Sequence, residues 1–188
     1  MTTEERIKIY NDEITKYPNP ESFIETDHLI DMGYFTAPAS TKYHGAYEGG
    51  LFDHSWAVYQ RLKELTENNH LDWGALESPF IIGMYHDLCK CDQYIKVYNP
   101  VEDKTLSLPG TFHYEYNNNM LLKGHGDKSI MLISQSISLT EVEMLCIRYH
   151  MGAYMTDDWD GFDRAIRKSE LVLWTHHADQ LASKIDNI

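Results

Sequence analysis

Ser78-Pro79-Phe80-Ile81-Ile82-Gly83-Met84-Tyr85-His86-Asp87-Leu88-Cys89-Lys90 is the stretch from which the fold can be read. Ser78 suits a helix cap and Pro79 the first turn, and Ile81, Met84, Tyr85 and Leu88 follow at i, i+3, i+4 and i+7. The pattern predicts a buried helix with His86 and Asp87 near its C-terminal end. Adjacent histidine and aspartate offer two metal ligands, and the carboxylate has two oxygens with which to bridge two cations.

The neighbouring segments repeat the helical period. Upstream, Leu51, Val58, Leu62 and Leu65 recur at helical spacing from Gly49-Gly50 to Asn68-Asn69, with His54 on the same buried face. A further amphipathic helix is predicted over residues 3–16, followed by an irregular segment punctuated by Pro18, Pro20 and Pro38. Downstream, residues 93–98 and 111–116 alternate in β fashion around a polar turn near Asn99-Pro100 to Lys104, which predicts an inserted hairpin within residues 92–117. Residues 126–136 read as a helix with His125 at its boundary. Thr140 and Glu143 form a capping box for a helix ending at Gly152, with His150 in its last turn. A short helix near 162–167 precedes a final one from Ser169-Glu170 through Ala182, where His176 and Asp179 share a face. The predicted class is all-α with a small β-hairpin insertion.

Length and composition narrow the function. A chain of 188 residues with 43% hydrophobic residues is the size of one domain with a sizeable core. No apolar run approaches the roughly 18 residues of a membrane span, and the start Met1-Thr2-Thr3-Glu4-Glu5-Arg6 has no signal-peptide pattern, so a cytoplasmic protein without a membrane partner is expected. Cys89, Cys91 and Cys146 lack C-x-x-C spacing and read as small buried hydrophobes in a reducing compartment. With 29 acidic against 16 basic residues the net charge is −13, which makes a long nucleic acid a poor partner. A small phosphorylated molecule remains compatible, because bound cations reverse the local field.

His54, His86, Asp87, His125, His150 and Asp179 are the candidate metal ligands. They arrive from different elements rather than from a compact zinc-finger spacing, so they must converge in the middle of a domain. Imidazoles and carboxylates without thiolates suit manganese, iron, nickel, cobalt or zinc, and this many ligands leave room for one or two divalent ions.

The segments Gly49-Gly50-Leu51-Phe52-Asp53-His54-Ser55, His86-Asp87-Leu88-Cys89-Lys90, Gly124-His125-Gly126, Tyr149-His150-Met151-Gly152 and His176-His177-Ala178-Asp179 occur in that order. The series resembles the HD-domain superfamily of metal-dependent phosphohydrolases, in particular the HD domain of bacterial 3'-5' exoribonucleases, over about residues 44 to 184. The resemblance implies an HD-type helical bundle over residues 44–188, with residues 1–43 as an N-terminal helix and irregular segment. It implies one ion held by His54, His86, Asp87 and Asp179, and a second reached by Asp87 and held by His125 and His150. Asp87 would be catalytic as the bridging ligand. Lys90, on the same helix face as His86, would steady a substrate phosphate or the attacking water, and His44 would lie near the phosphate.

The implied activity is hydrolysis of a phosphate ester of a small molecule or nucleotide by metal-activated water. The exoribonucleases carry an OB-fold module for RNA, which the first 43 residues are too short to supply. Two alternatives stay open: a single-strand-specific 3'-5' exonuclease or phosphodiesterase, and a metal-loaded module that binds a nucleotide without cleaving it. His113 reads as a sheet-face residue or a substrate contact, and His176 as a partner orienting a ligand or a core-edge histidine. Tyr114, Tyr116, Tyr154 and Trp159 are candidate base platforms, although aromatic residues mostly fill cores.

Overall fold

The computed structural model describes residues 1–43, 45–98, 111–152 and 158–188. Among these the chain is mostly helical with one two-stranded antiparallel sheet. The helices are α1 (Thr3–Ile14), α2 (Thr26–Asp31), α3 (Gly50–Asn69), α4 (Ser78–Tyr85), α5 (Gly126–Ile133), α6 (Glu141–Tyr149), α7 (Trp159–Lys168) and α8 (Leu171–Gln180). Strands β1 (Tyr94–Tyr98) and β2 (Phe112–Tyr116) pair with Tyr94 opposite Tyr116 and Tyr98 opposite Phe112. The turn expected at 99–104 falls outside the described residues, as do His44 and Tyr154. No described helix is long and apolar enough to cross a membrane.

Local chemistry explains most boundaries. Thr2 with Glu5 and Thr140 with Glu143 form capping boxes that start α1 and α6. Gly49 caps α3 at φ +81, and a Cβ there would lie 2.2 Å from the Arg6 guanidinium carbon. Two expectations need correction. The segment before residue 45 is not wholly irregular, since it contains α2, whose Leu29 is buried. Ser78 is the first helical residue rather than a cap, and its hydroxyl donates to Glu143 Oε1 at 2.8 Å. That bond ties the start of α4 to the start of α6, so two ligand-bearing helices share an origin.

One aromatic core runs through the helices. Phe80 of α4 packs against Phe23, Tyr59 and Tyr10 with ring centroids 4.9, 5.1 and 5.7 Å apart. The Tyr10 hydroxyl reaches the Ile24 carbonyl at 2.6 Å and the Tyr85 hydroxyl at 2.5 Å, which binds α1 and the segment after it to α4. Helices α3 and α4 meet at Gly83, where a Cβ would lie 2.6 Å from the Tyr59 Cα. That close approach brings His54 on α3 beside His86 at the end of α4.

Candidate metal centre

Each candidate side chain reaches the centre from its own place in the bundle. His54 lies within α3, His86 caps the C-terminus of α4, His125 precedes α5, His150 caps α6 and Asp179 sits in the last turn of α8. Asp87 leaves the α4 helix at φ −107 and ψ 18, which turns its carboxylate inward. His54, His86 and His150 are wholly buried, and Asp87 and Asp179 nearly so.

The two oxygens of Asp87 divide the histidines into pairs. Oδ2 lies 3.7 Å from His54 Nε2 and 3.5 Å from His86 Nε2. Oδ1 lies 3.0 Å from His125 Nε2 and 3.4 Å from His150 Nε2. Asp179 joins the first pair, with Oδ1 3.1 Å from His54 Nε2 and 3.9 Å from His86 Nε2. Two buried groups could therefore hold a metal ion: His54, His86 and Asp87, and Asp87, His125 and His150, each with donor atoms within 4.8 Å of one another.

The outward ring nitrogens fix which atoms face inward. His54 Nδ1 meets the Ile188 main-chain oxygen at 3.1 Å, His86 Nδ1 the Gly83 carbonyl at 2.9 Å and His150 Nδ1 the Ile147 carbonyl at 2.7 Å. A carbonyl oxygen only accepts, so each Nδ1 carries the proton and, in the neutral ring, Nε2 presents a lone pair. The inward Nε2 atoms approach closely, His54 to His86 at 3.3 Å and His125 to His150 at 3.1 Å. Asp87 Oδ1 is buried without a well-aligned hydrogen bond. Inward-facing ring nitrogens around a buried carboxylate oxygen form a donor set that a cation can satisfy, and ring nitrogens anchored on carbonyls are typical of histidines that ligate metals.

Neighbouring charges set the ionisation of the two carboxylates. Burial would raise the Asp87 carboxyl, but Lys90 first, then His86 and His125, outweigh it and hold it well below the ordinary carboxylate range. Burial likewise opposes ionisation of Asp179, and His54 overrides it, so this carboxyl is also depressed. His125 is raised, because Asp87 overcomes the effect of burial on the imidazolium. Both carboxylates are thus present as anions, the form a cation requires.

Lys90 does not continue the face of α4. The helix stops at Tyr85, and the 3-10 turn Leu88–Cys91 swings the Lys90 ammonium to 2.6 Å from Asp87 Oδ2. Burial pulls its pKa down, yet Asp87 prevails and raises it, so the pair is ionic. His176 Nδ1 donates to the His150 carbonyl at 2.7 Å, which steadies the backbone of that ligand rather than its ring.

Other candidates lie apart from the donor set. His113 is on the exposed side of the hairpin, 2.8 Å from Glu115, and Tyr116 and Trp159 are exposed. Tyr114, in the middle of β2 opposite Lys96, is buried. Two participants are not apparent from residue type. Cys89, expected only to fill space, sets its Sγ 3.4 Å from His125 Nδ1, on the side of the ring away from Asp87. Arg6 forms a two-pronged pair with Asp53, the residue before His54, at 2.8 and 2.9 Å, and clamps α1 onto α3. Arg6 belongs to a charged stretch that reads as solvated; only its place four residues before Tyr10 hints at a buried face. No family model, curated protein or solved structure matches this chain.

Proposed function

We propose that the protein is a divalent-metal-dependent phosphohydrolase of the HD-domain type, acting on a phosphate ester of a small molecule or nucleotide. The observation that carries this reading is Asp87, whose two oxygens face two separate histidine pairs at 3.0 to 3.7 Å. A donor set of imidazoles and carboxylates suits manganese, iron, nickel, cobalt or zinc. Cys89 offers no competing thiolate, because its sulfur faces the outer nitrogen of His125.

His54, His86, Asp87 and Asp179 would hold one ion, and Asp87, His125 and His150 the other. When bound, such ions supply Lewis acidity that brings the pKa of water from 15.7 to about 7 and neutralises charge on phosphate oxygens. The chain's own residues orient and exclude. Carbonyl anchors keep three Nε2 atoms aimed at the centre, and burial of the ligands keeps bulk water away from their charges. Lys90 fixes Asp87 by its ion pair and would set a cation beside a phosphate docked at the centre. The net charge of −13 disfavours a long polyanion, which supports a small substrate.

The test is hydrolysis of bis(p-nitrophenyl) phosphate, p-nitrophenyl phosphate and a nucleotide panel by metal-stripped protein reloaded with each candidate ion. Turnover that requires both the ion and Asp87 is expected. Turnover retained by Asp87→Ala at normal metal content would sink the reading. Tight nucleotide binding without product would point to the non-catalytic module, and processive cleavage of single strands to the exonuclease.

A further inference from the structure

The three inward-facing Nε2 atoms of His54, His86 and His150 are aimed by two different devices. His86 and His150 each cap a helix and bond the carbonyl three residues earlier, Gly83 and Ile147, where the last turn leaves carbonyls without intrahelical partners. His54 lies within α3, where the neighbouring carbonyls are engaged in the helix. Its Nδ1 instead meets the Ile188 main-chain oxygen, 134 positions away in sequence.

The approach of Ile188 is built by specific contacts. After α8 the chain makes a π-turn over Leu181–Ile185. The Asp186 N–H then donates to the Leu181 carbonyl at 3.0 Å and the Ile188 N–H to the Ala182 carbonyl at 3.2 Å, with Asn187 between them at φ +61. Asp186 accepts from Arg61 Nε at 2.8 Å and from a second guanidinium nitrogen, a two-pronged pairing with directional as well as electrostatic content. Arg61 is seven residues after His54, two turns along the same face of α3. The Ile188 side chain packs against the core.

We infer that residues 186–188 form a latch: Arg61 and Asp186 hold the Ile188 main-chain oxygen on His54 Nδ1, making Arg61 and Asp186 positioning residues for the ion held by His54, His86, Asp87 and Asp179. The inference rests on the reading of His54 as a metal ligand. The C-terminal stretch supplies Asp179 from α8 and, beyond the π-helical residues Leu181–Ile185, the acceptor that orients His54. Loss of the latch releases one ligand of one ion and leaves Asp87, His125 and His150 untouched.

The test is calorimetric titration of metal-free protein with manganese or cobalt, for the natural sequence, Asp186→Asn, Arg61→Met and the double variant. Long-range ¹H–¹⁵N spectra of the His54 ring report the Nδ1 bond before metal is added. Each single variant is expected to weaken the first ion by about 10- to 100-fold, as outer partners of ligating histidines do. The second ion should weaken far less than the first, because His125 and His150 keep their own anchors, and the double variant should be no weaker than either single one. Unchanged affinity for the first ion with the His54 bond broken would overturn the latch. So would equal weakening of both ions together with a lowered melting temperature. None of these readouts needs turnover: a latch-dependent ion without hydrolysis sinks the hydrolase alone, and hydrolysis with latch-independent binding sinks the latch alone.

Discussion

His54 and His86 each come within 4.0 Å of two carboxylates, Asp87 and Asp179, whereas His125 and His150 come that close to Asp87 only, although His150 also acts on Asp179 from farther away. The anchoring differs as well. Both rings of the first group bond main-chain oxygens, while in the second His150 does so and His125 leans on the Cys89 thiol at 3.4 Å. Sulfur is a weak hydrogen-bond partner, so the ring it orients is held less firmly. Four chemically identical side chains thus make two unequally anchored pairs. More negative charge nearby and firmer anchors would give the first group the higher affinity for a cation, and Asp87 would couple the two because each would use one of its oxygens.

The largest expected effect removes what the halves share. Asp87→Ala should lose both ions and reduce turnover by ~10³-fold or more, because several kcal/mol of charge stabilisation go with them. Metal content by mass spectrometry alongside the ester assay checks it. This variant also leaves Lys90 buried without its partner, so its melting temperature should fall.

Next comes splitting the halves. Asp179→Ala should abolish the tighter site, and His150→Ala the weaker one while the tighter ion stays bound. Stoichiometries from titration decide between this and a single shared ion. Equal losses in the two variants would remove the asymmetry.

Adding metal should itself stabilise the fold, since the ions would bind converged ligands that the unfolded chain does not offer. At a hundredfold excess over its dissociation constant one ion adds about 2.7 kcal/mol. That corresponds to a rise of about 5–10 °C in melting temperature for a chain of this size. Two steps at separate concentrations would measure the asymmetry directly by scanning calorimetry.

Cys89→Ala probes the weaker anchor. It should lower the affinity for the ion at Asp87, His125 and His150 by about tenfold, the low end for such partners, and affect the first ion less, only through the shared Asp87. Cys89→Ser, which retains a polar atom, should recover part of the loss.

The smallest change serves as a control. Thr140→Ala removes the capping box of α6, far from the ligands, and should cost about 1 kcal/mol, or about 2–4 °C in melting temperature. Both ion affinities should stay within about twofold.

What could be read from the amino acids alone follows from periodicity and side-chain chemistry. Apolar spacing reveals α3, α4, α6 and α8, alternation reveals the strands Tyr94–Tyr98 and Phe112–Tyr116, and Thr140 with Glu143 marks a helix start, because these signals are local. The six candidate ligands stand out by residue type. The short helix Thr26–Asp31 was hidden by the prolines around it, and Ser78 looked like a cap because its partner, Glu143, is distant in sequence. Only the tertiary structure decided that Asp87 points one oxygen at each histidine pair, that Lys90 turns back onto Asp87, and that His54 takes its acceptor from Ile188. The reason is physical: periodicity fixes which face of a helix is buried, but which nitrogen or oxygen meets which depends on packing between elements far apart in the chain, and a main-chain oxygen carries no mark of its role in the sequence.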